Sequence, residues 1–340
     1  MKPFRVIVIG GGRVGSALAA ELKDDAGFSV AVVDGVPEVV DLARAAGFEA
    51  HGCDVLDEIR IAPLLRGADV VVAAVPERLV AQVARLAERL GIHHLDFSDP
   101  RATGVVRRDA SAGGPAVLPG CGVSPGLVDD VVEELLSRFD RVDDLVVRVG
   151  AIPTEPVGRL GYGAIWDVDG LISEYTRPAE AFVDGREVRL PALGGYETFE
   201  WNGRTYEAFV TANGLRSLTG LGRGRVATAT FKTIRHPGHL DHMLFLLDEL
   251  RLRSRLDMLA NLLRNALPET RDDMVLIHVT ARGHIAGRPS EQQSVHEIPS
   301  SSESGDRFHS ALARGAAAYA KRQLEALAST STRRPHPVAS

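Results

Sequence analysis

Apolar and polar residues recur on two different plans along this chain, and the plan changes near residue 120. Arg5-Val6-Ile7-Val8-Ile9 is a short, almost unbroken apolar run, the pattern of a parallel strand buried on both faces. Glycines follow it. Val14, Leu18 and Leu22 then recur every fourth residue, which predicts a helix. The unit repeats, with predicted strands at Phe28 to Val33, Glu49 to Val55, Ala68 to Val75, His94 to Phe97 and Pro115 to Leu118. Helices are predicted between them over Val36 to Ala46 and Val80 to Leu90. Such repeated β–α units predict an α/β protein with a Rossmann doubly wound parallel sheet.

Beyond Pro119 the spacing differs. Ser124-Pro125 predicts a helix start, with serine as cap and proline in the first position, and Val128, Val131, Val132, Leu135, Leu136 and Phe139 mark its apolar face. From Leu145 to Thr233 short β-type runs turn on glycines, as in VDGREVRLP and EWNGRTYEAFV, which predicts a second α+β domain built on a mostly antiparallel sheet. Leu240 to Leu267 predicts one long helix, Met274 to Thr280 a strand, 286–307 an exposed hairpin or loop, and Phe308 to Leu327 a last helix. The domain plan is therefore 1–125 for nucleotide binding, 126–307 for substrate binding and dimerisation, and 328–340 as a disordered tail.

Composition removes several function classes. The 340 residues are 45% hydrophobic and 25% charged, with 39 basic against 45 acidic side chains and a net charge of −6. That balance supplies no basic field for nucleic acid. The N-terminal apolar run is too short to span a membrane and lacks a cleavage pattern, so a soluble cytoplasmic protein is expected, with neither nucleic acid nor membrane as partner. Two cysteines, Cys53 and Cys121, make neither a disulfide framework nor a four-ligand zinc site. His236, His239 and His242 come nearest to a ligand array, but Pro237 and Gly238 interrupt it, and no metal is expected.

Gly10-Gly11-Gly12-Arg13-Val14-Gly15 fits G-x-G-x-x-G between a predicted strand and a predicted helix, the context that gives the motif meaning. Gly10 permits the tight turn, Gly12 lets the backbone approach a pyrophosphate, and Gly15 lets helix and strand pack closely. The backbone at Arg13 and Val14 then opens the helix toward the phosphates. Asp34 closes the second predicted strand. A carboxylate there accepts from both ribose hydroxyls and repels a 2′-phosphate, and Gly35-Val36-Pro37 supplies no arginine, so NAD is the expected cofactor. Asp54, Val75, Pro76 and Gly122 are further candidates to border the cofactor.

Three segments of the second half carry a family resemblance: Leu118-Pro119-Gly120-Cys121-Gly122-Val123-Ser124-Pro125-Gly126, Val149-Gly150-Ala151-Ile152-Pro153, and Phe231-Lys232-Thr233-Ile234-Arg235-His236-Pro237-Gly238-His239. Together with Trp166 to Tyr175 and Ala208 to Thr211, they resemble the saccharopine dehydrogenase-like family, and within it the bacterial lysine 6-dehydrogenase branch. The resemblance implies NAD-dependent oxidation of the ε-amine of L-lysine to allysine, which cyclises to piperideine-6-carboxylate. It also implies a homodimer or higher homo-oligomer, and a final helix that packs back on the nucleotide domain. The chain departs from the pattern at Ala212-Asn213-Gly214-Leu215-Arg216, where the family has a run of small residues. It departs again at Asp99-Pro100, where glycine and histidine are expected.

Oxidising a carbon that bears an amine requires a neutral amine, a hydride acceptor and anchors for the other charges. Arg235 is the candidate carboxylate anchor, because a guanidinium orients as well as attracts. Asp96, at the carboxyl end of the fifth predicted strand, and His239 are the candidate catalytic proton carriers. Tyr175 and Thr211 are candidate substrate contacts. Cys121 fits packing better than nucleophilic chemistry. An alternative within the family is a reductase of the saccharopine or carboxynorspermidine type, which needs a second carboxylate anchor; Arg159, Arg177, Arg216 and Arg223 are available. A non-catalytic NAD-binding protein is the alternative outside enzymes.

Overall fold

The computed structural model describes residues 2–110, 114–165, 167–212, 225–270, 272–300 and 310–331. Contacts divide the chain into two units, Met1–Leu127 with Ala313–Ser340, and Val128–Leu312. In the first unit β1 (Phe4–Ile9), α1 (Arg13–Lys23), β2 (Phe28–Asp34), α2 (Pro37–Ala45), β3 (Glu49–Gly52), α3 (Glu58–Leu65), β4 (Val70–Ala73), α4 (Glu77–Leu90), β5 (His93–Asp96), α5 (Pro100–Thr103) and β6 (Val117–Leu118) alternate. Among the described residues the six strands form one parallel sheet in the order β3-β2-β1-β4-β5-β6. The order reverses between β1 and β4, which opens a crevice at the carboxyl ends of the strands.

Both faces of this sheet are buried, which explains the unbroken apolar runs. Val6, Val8, Val70, Val72 and Leu95 pack with Leu18 and Leu22 of α1 on one face; Ile7, Ile9, Val71 and Ala73 pack with Ile61, Leu65, Val83 and Leu86 on the other. The last helix, α10 (Ala311–Ser331), adds Ala317, Tyr319, Ala320, Leu324 and Leu327 to the first face. The sequence pattern missed α3, whose interior Pro63 argues against a helix. The Asp57 side chain accepts from Arg60 N at 3.1 Å and caps it, and Ile61 and Leu65 are fully buried.

The second unit contains α6 (Leu127–Leu136), which starts at the boundary, then β7 (Arg141–Pro153), α7 (Val168–Thr176), β8 (Ala179–Val183), β9 (Arg186–Leu190), β10 (Glu197–Trp201), β11 (Arg204–Val210) and β12 (Val226–Arg235). These are followed by α8 (His239–Leu244), α9 (Leu256–Ala266), β13 (Asp273–Ile285) and β14 (Arg288–Pro299). The eight strands described run β10-β11-β12-β7-β13-β14, with β8 on β12 and β9 on β8. Only β12 and β7 pair in parallel; the other pairs are antiparallel. Ser124-Pro125 stands before α6 rather than opening it, because Gly122 N donates to Pro125 O and Leu127 N to Gly122 O in a closed loop.

The stretch expected as one long helix is broken. After α8 come a π turn over Phe245–Glu249 and a short 3-10 turn at Leu252–Ser254, with Arg251 at a positive φ of 56° between them. The break lets α8 and α9 both point apolar faces at one core, since Leu240, Met243, Leu247, Leu259, Ala260 and Leu263 join the same cluster as Tyr162, Tyr175 and Phe209. No glycine or proline announces it, and tertiary packing overrides local propensity. Among the described residues no helix is long and apolar enough to cross a membrane.

Candidate active site

The glycine loop after β1 is shaped by close approach. Gly10 has φ of +96°, and a Cβ there would lie 2.2 Å from Ala74 O; a Cβ on Gly15 would lie 1.9 Å from Gly10 O. At Gly12 a Cβ would meet nothing within 4 Å, so this position borders open space. Gly12 is also the N-cap of α1, which no side chain caps and which has no acidic residue in its first turn. That helix end, from Arg13 and Val14 to Gly15, keeps its positive pole for an outside anion. Asp34 is pinned beside it: Oδ2 accepts from Gly11 N at 2.7 Å and Oδ1 from Val36 N at 2.8 Å. The residues therefore fit a nicotinamide dinucleotide, which the helix end at Gly12 would hold by its phosphates and Asp34 by a ribose.

The remaining cofactor candidates differ. Val75 lies against Gly10, its Cγ1 3.4 Å from where a Cβ would stand, and Pro76 caps α4. Gly122 is buried in the closed loop before α6. Asp54 is exposed, and its Oδ1 accepts from Leu56 N at 2.9 Å as a turn aspartate does. Cys53 and Cys121 are both free and buried.

Asp96, fully buried at the end of β5, accepts from His94 Nε2 at 2.9 Å and from both Ser98 N and Ser98 Oγ, at 2.9 and 2.7 Å. Its oxygens thus serve its own strand and loop. His94 Nδ1, equally buried, has no partner among the described residues.

In the second unit Arg235, Tyr175 and His239 come together as one chain of hydrogen bonds. His239 Nδ1 faces Leu160 O at 2.9 Å; a carbonyl only accepts, so this nitrogen carries the proton and Nε2 is left as acceptor. Tyr175 OH donates to that Nε2 at 3.0 Å, and the same oxygen accepts from Arg235 Nε at 2.8 Å. Arg235 Nη1 donates to Ile234 O at 2.9 Å, and the guanidinium sits 4.8 Å from the Tyr162 ring centroid. Burial, then the Arg235 charge, push the His239 pKa down to about 3, so the ring is neutral. Burial also raises the Tyr175 phenol. With both nitrogens engaged and its ring stacked on Phe209, His239 orients Tyr175 and is not placed as an accessible base.

Thr211 is not a member of this chain of hydrogen bonds: its hydroxyl pairs with that of Thr233 at 2.7 Å. The three histidines considered as ligands face three different carbonyls, Pro153 for His236, Leu160 for His239 and Gly238 for His242. Arg159 and Arg177 are exposed; Arg216 and Arg223 lie outside the described residues. Sequence reasoning missed Glu207 and Glu174. Glu207 is buried and accepts from Gly238 N and Leu240 N at 2.8 and 2.6 Å, which caps α8 and fixes the corner after Arg235. Glu174 is half-buried; burial pushes its carboxyl up to about 8, opposed by Arg235 and Arg177. No spacing signal marks either, since both act across the fold.

Residues 6–116 match the family described as Saccharopine dehydrogenase NADP binding domain, and residues 122–323 match Saccharopine dehydrogenase C-terminal domain. Among solved structures the chain is similar to apo saccharopine dehydrogenase (L-Glu forming) from Saccharomyces cerevisiae, with a TM-score of 0.76 at 16% identity. That match covers 95% of this chain and 91% of the yeast chain. It is also similar to apo scyllo-inositol dehydrogenase from Lactobacillus casei at 13% identity, covering 99% and 91%, where a TM-score of 0.48 carries no further argument. The yeast likeness supports the fold, a parallel nucleotide-binding sheet followed by a mixed, mostly antiparallel one.

Proposed function

The chain belongs to the saccharopine dehydrogenase family of NAD(P)-dependent oxidoreductases, and on that premise we propose that it oxidises the terminal amine of a diamino acid, L-lysine first. The product is allysine, which cyclises to piperideine-6-carboxylate, and NAD is the preferred cofactor, a reading supported by the Asp34 carboxylate that Gly11 N holds beside the glycine loop. A homodimer is part of the proposal, supported by the half-buried Phe199, Trp201, Met274 and Val295 on one sheet face.

One observation carries this reading. Arg235 is 2% exposed and fully charged, yet among the described residues no carboxylate pairs with it. An uncompensated buried cation is costly, and an anionic ligand relieves that cost. Burial works against the charge, while Tyr175, Tyr162 and Glu174 hold its pKa above the ordinary value. Arg235 receives the substrate carboxylate, and the bonds to Tyr175 and Ile234 O hold the guanidinium before the ligand arrives. Neutral His239 keeps Tyr175 turned as a donor toward itself and an acceptor toward Arg235. Bound dinucleotide supplies the hydride acceptor.

A second reading, reductive coupling of an amine with a keto acid, is supported by the fold likeness to the L-Glu-forming yeast enzyme. Arg235→Gln tests the shared core of both. Loss of a charged hydrogen-bonded pair of about 3 kcal/mol raises KM for the amino acid by about a hundredfold, while cadaverine, which has no carboxylate, is handled as by the wild type. An unchanged KM contradicts the assignment.

A further inference from the structure

We propose that Ser98 is a cofactor contact: its hydroxyl oxygen accepts a hydrogen bond from the carboxamide N–H of the nicotinamide, and Asp96, backed by His94, holds the hydroxyl in that sense. The inference rests on the dinucleotide part of the reading above and on no choice of amine substrate.

Sheet order places Ser98 on the nicotinamide side. Asp34 ends β2 on one side of β1, and Gly12 opens α1 directly after β1. A dinucleotide with a ribose at Asp34 and its phosphates at Gly12 sends its other half across the order reversal, to the carboxyl ends of β4 and β5. Ala73 of β4 stands opposite Asp96 of β5, so Phe97 and Ser98 leave the sheet at the same edge as Ala74 and Val75. Ala74 O is the atom that a Cβ on Gly10 would strike, so this edge adjoins the glycine loop. Ser98 is half-buried there.

Hydrogen bonds fix the direction of its hydroxyl. Asp96 Oδ2 faces His94 Nε2 at 2.9 Å; a carboxylate only accepts, so that nitrogen carries the proton. Asp96 Oδ1 accepts from Ser98 N at 2.9 Å and from Ser98 Oγ at 2.7 Å. The one proton of the hydroxyl is thereby spent on Asp96, and its lone pairs face away from the carboxylate. Among the described residues no group donates to them. The frame is held on both sides: Cys121 N donates to Asp96 O at 2.7 Å, and Asp99 caps α5 by accepting from Arg101 N at 2.9 Å. Asp99 also accepts from Arg101 Nη2 at 2.9 Å, so its carboxylate is already engaged. A hydroxyl turned into an acceptor suits a ligand N–H and disfavours a carbonyl or a phosphate. The carboxamide supplies the N–H groups of the nicotinamide half.

Titration calorimetry of the full chain compares three ligands on wild type and Ser98→Ala. They are NADH, its 3-acetylpyridine analogue, in which a methyl ketone replaces the carboxamide, and ADP-ribose, which lacks the ring. Ser98→Ala weakens NADH about fivefold, the loss of one neutral hydrogen bond, and leaves the other two ligands unchanged. Wild type binds the acetyl analogue about fivefold less tightly than NADH. Asp96→Ala weakens NADH as Ser98→Ala does. Asp96→Asn, whose amide oxygen still accepts from Ser98 while its NH2 faces the His94 ring, keeps the wild-type affinity; a loss there contradicts the orienting role. Unchanged NADH affinity in Ser98→Ala, or equal weakening of NADH and the acetyl analogue, overturns the proposal and leaves the cofactor reading standing. Wild type that binds none of the three ligands overturns both. Unaltered ADP-ribose binding shows that each variant is folded.

Discussion

Alanine at Gly12 and alanine at Gly15 separate two roles that the glycine motif combines. At Gly12 the backbone has φ −66° and ψ −162°, which any residue adopts, and the added methyl meets nothing within 4 Å. Without cofactor, Gly12→Ala therefore keeps full stability, or gains about 0.4–1 kcal/mol from a less flexible unfolded chain. At Gly15 the methyl would stand 1.9 Å from Gly10 O and 3.1 Å from Val8 Cγ1, so α1 must move off β1. Such overpacking costs about 1–3 kcal/mol and lowers Tm by roughly 5 °C. Dinucleotide binding reverses the ranking of Gly12. Its methyl stands where the phosphates approach the helix end, and losing one charge-assisted bond of about 1.5–3 kcal/mol weakens NADH by about 10–100-fold. NADH fluorescence titration and thermal melting, with and without cofactor, read both effects. Wild-type NADH affinity in Gly12→Ala, or a cofactor-free Tm as low as that of Gly15→Ala, refutes the placement of the phosphates.

Three further outcomes follow from the side chains. Asp34→Ala weakens NADH and shifts the NADH-to-NADPH affinity ratio about tenfold toward NADPH; an unchanged ratio contradicts the preference for NAD. His239 has a folded pKa of about 3 against 6.5 unperturbed, so its stabilising contribution is complete above pH 6.5 and is lost as pH falls toward 3. That loss is about 1.4 kcal/mol per pH unit within the window, and acid melting of wild type against His239→Phe measures it, the variant losing less stability between those pH values. Glu207→Ala leaves the Gly238 and Leu240 amides without their acceptor, lowers stability by about 2 kcal/mol and speeds hydrogen exchange at Leu240, whereas unaltered exchange there contradicts the capping role.

The first sheet was legible because its central strands β1 and β4 write their burial into consecutive residues, as Val6 to Ile9 and Val70 to Ala73 do, and the glycine motif needs no long-range information. Arg235 and Tyr175 came to notice only through the family resemblance, since an arginine beside Ile234 and a tyrosine after Glu174 have no distinguishing period. Their partnership depends on α7 and β12 meeting across 60 positions of sequence. The break after α8 was illegible for a related reason: Leu240 to Leu267 is apolar at helical spacing throughout, and only the shared core of α8 and α9 requires the turn at Arg251. His239 illustrates a different gap. Its residue type suggests a proton carrier, but burial and two occupied ring nitrogens give it an orienting role that no linear pattern encodes.

The central claim is an amine oxidoreductase that reads its substrate through Arg235, and absorbance at the NADH band tests it most directly. Purified protein is supplied with NAD or NADP and a panel of diamino acids, and in the reverse direction with NADH, an amine and a keto acid. NADH formation on L-lysine, with NADP poor and Arg235→Gln losing about a hundredfold in kcat/KM, is the predicted result. No absorbance change with any amine in either direction, from protein shown to bind NADH, contradicts the account.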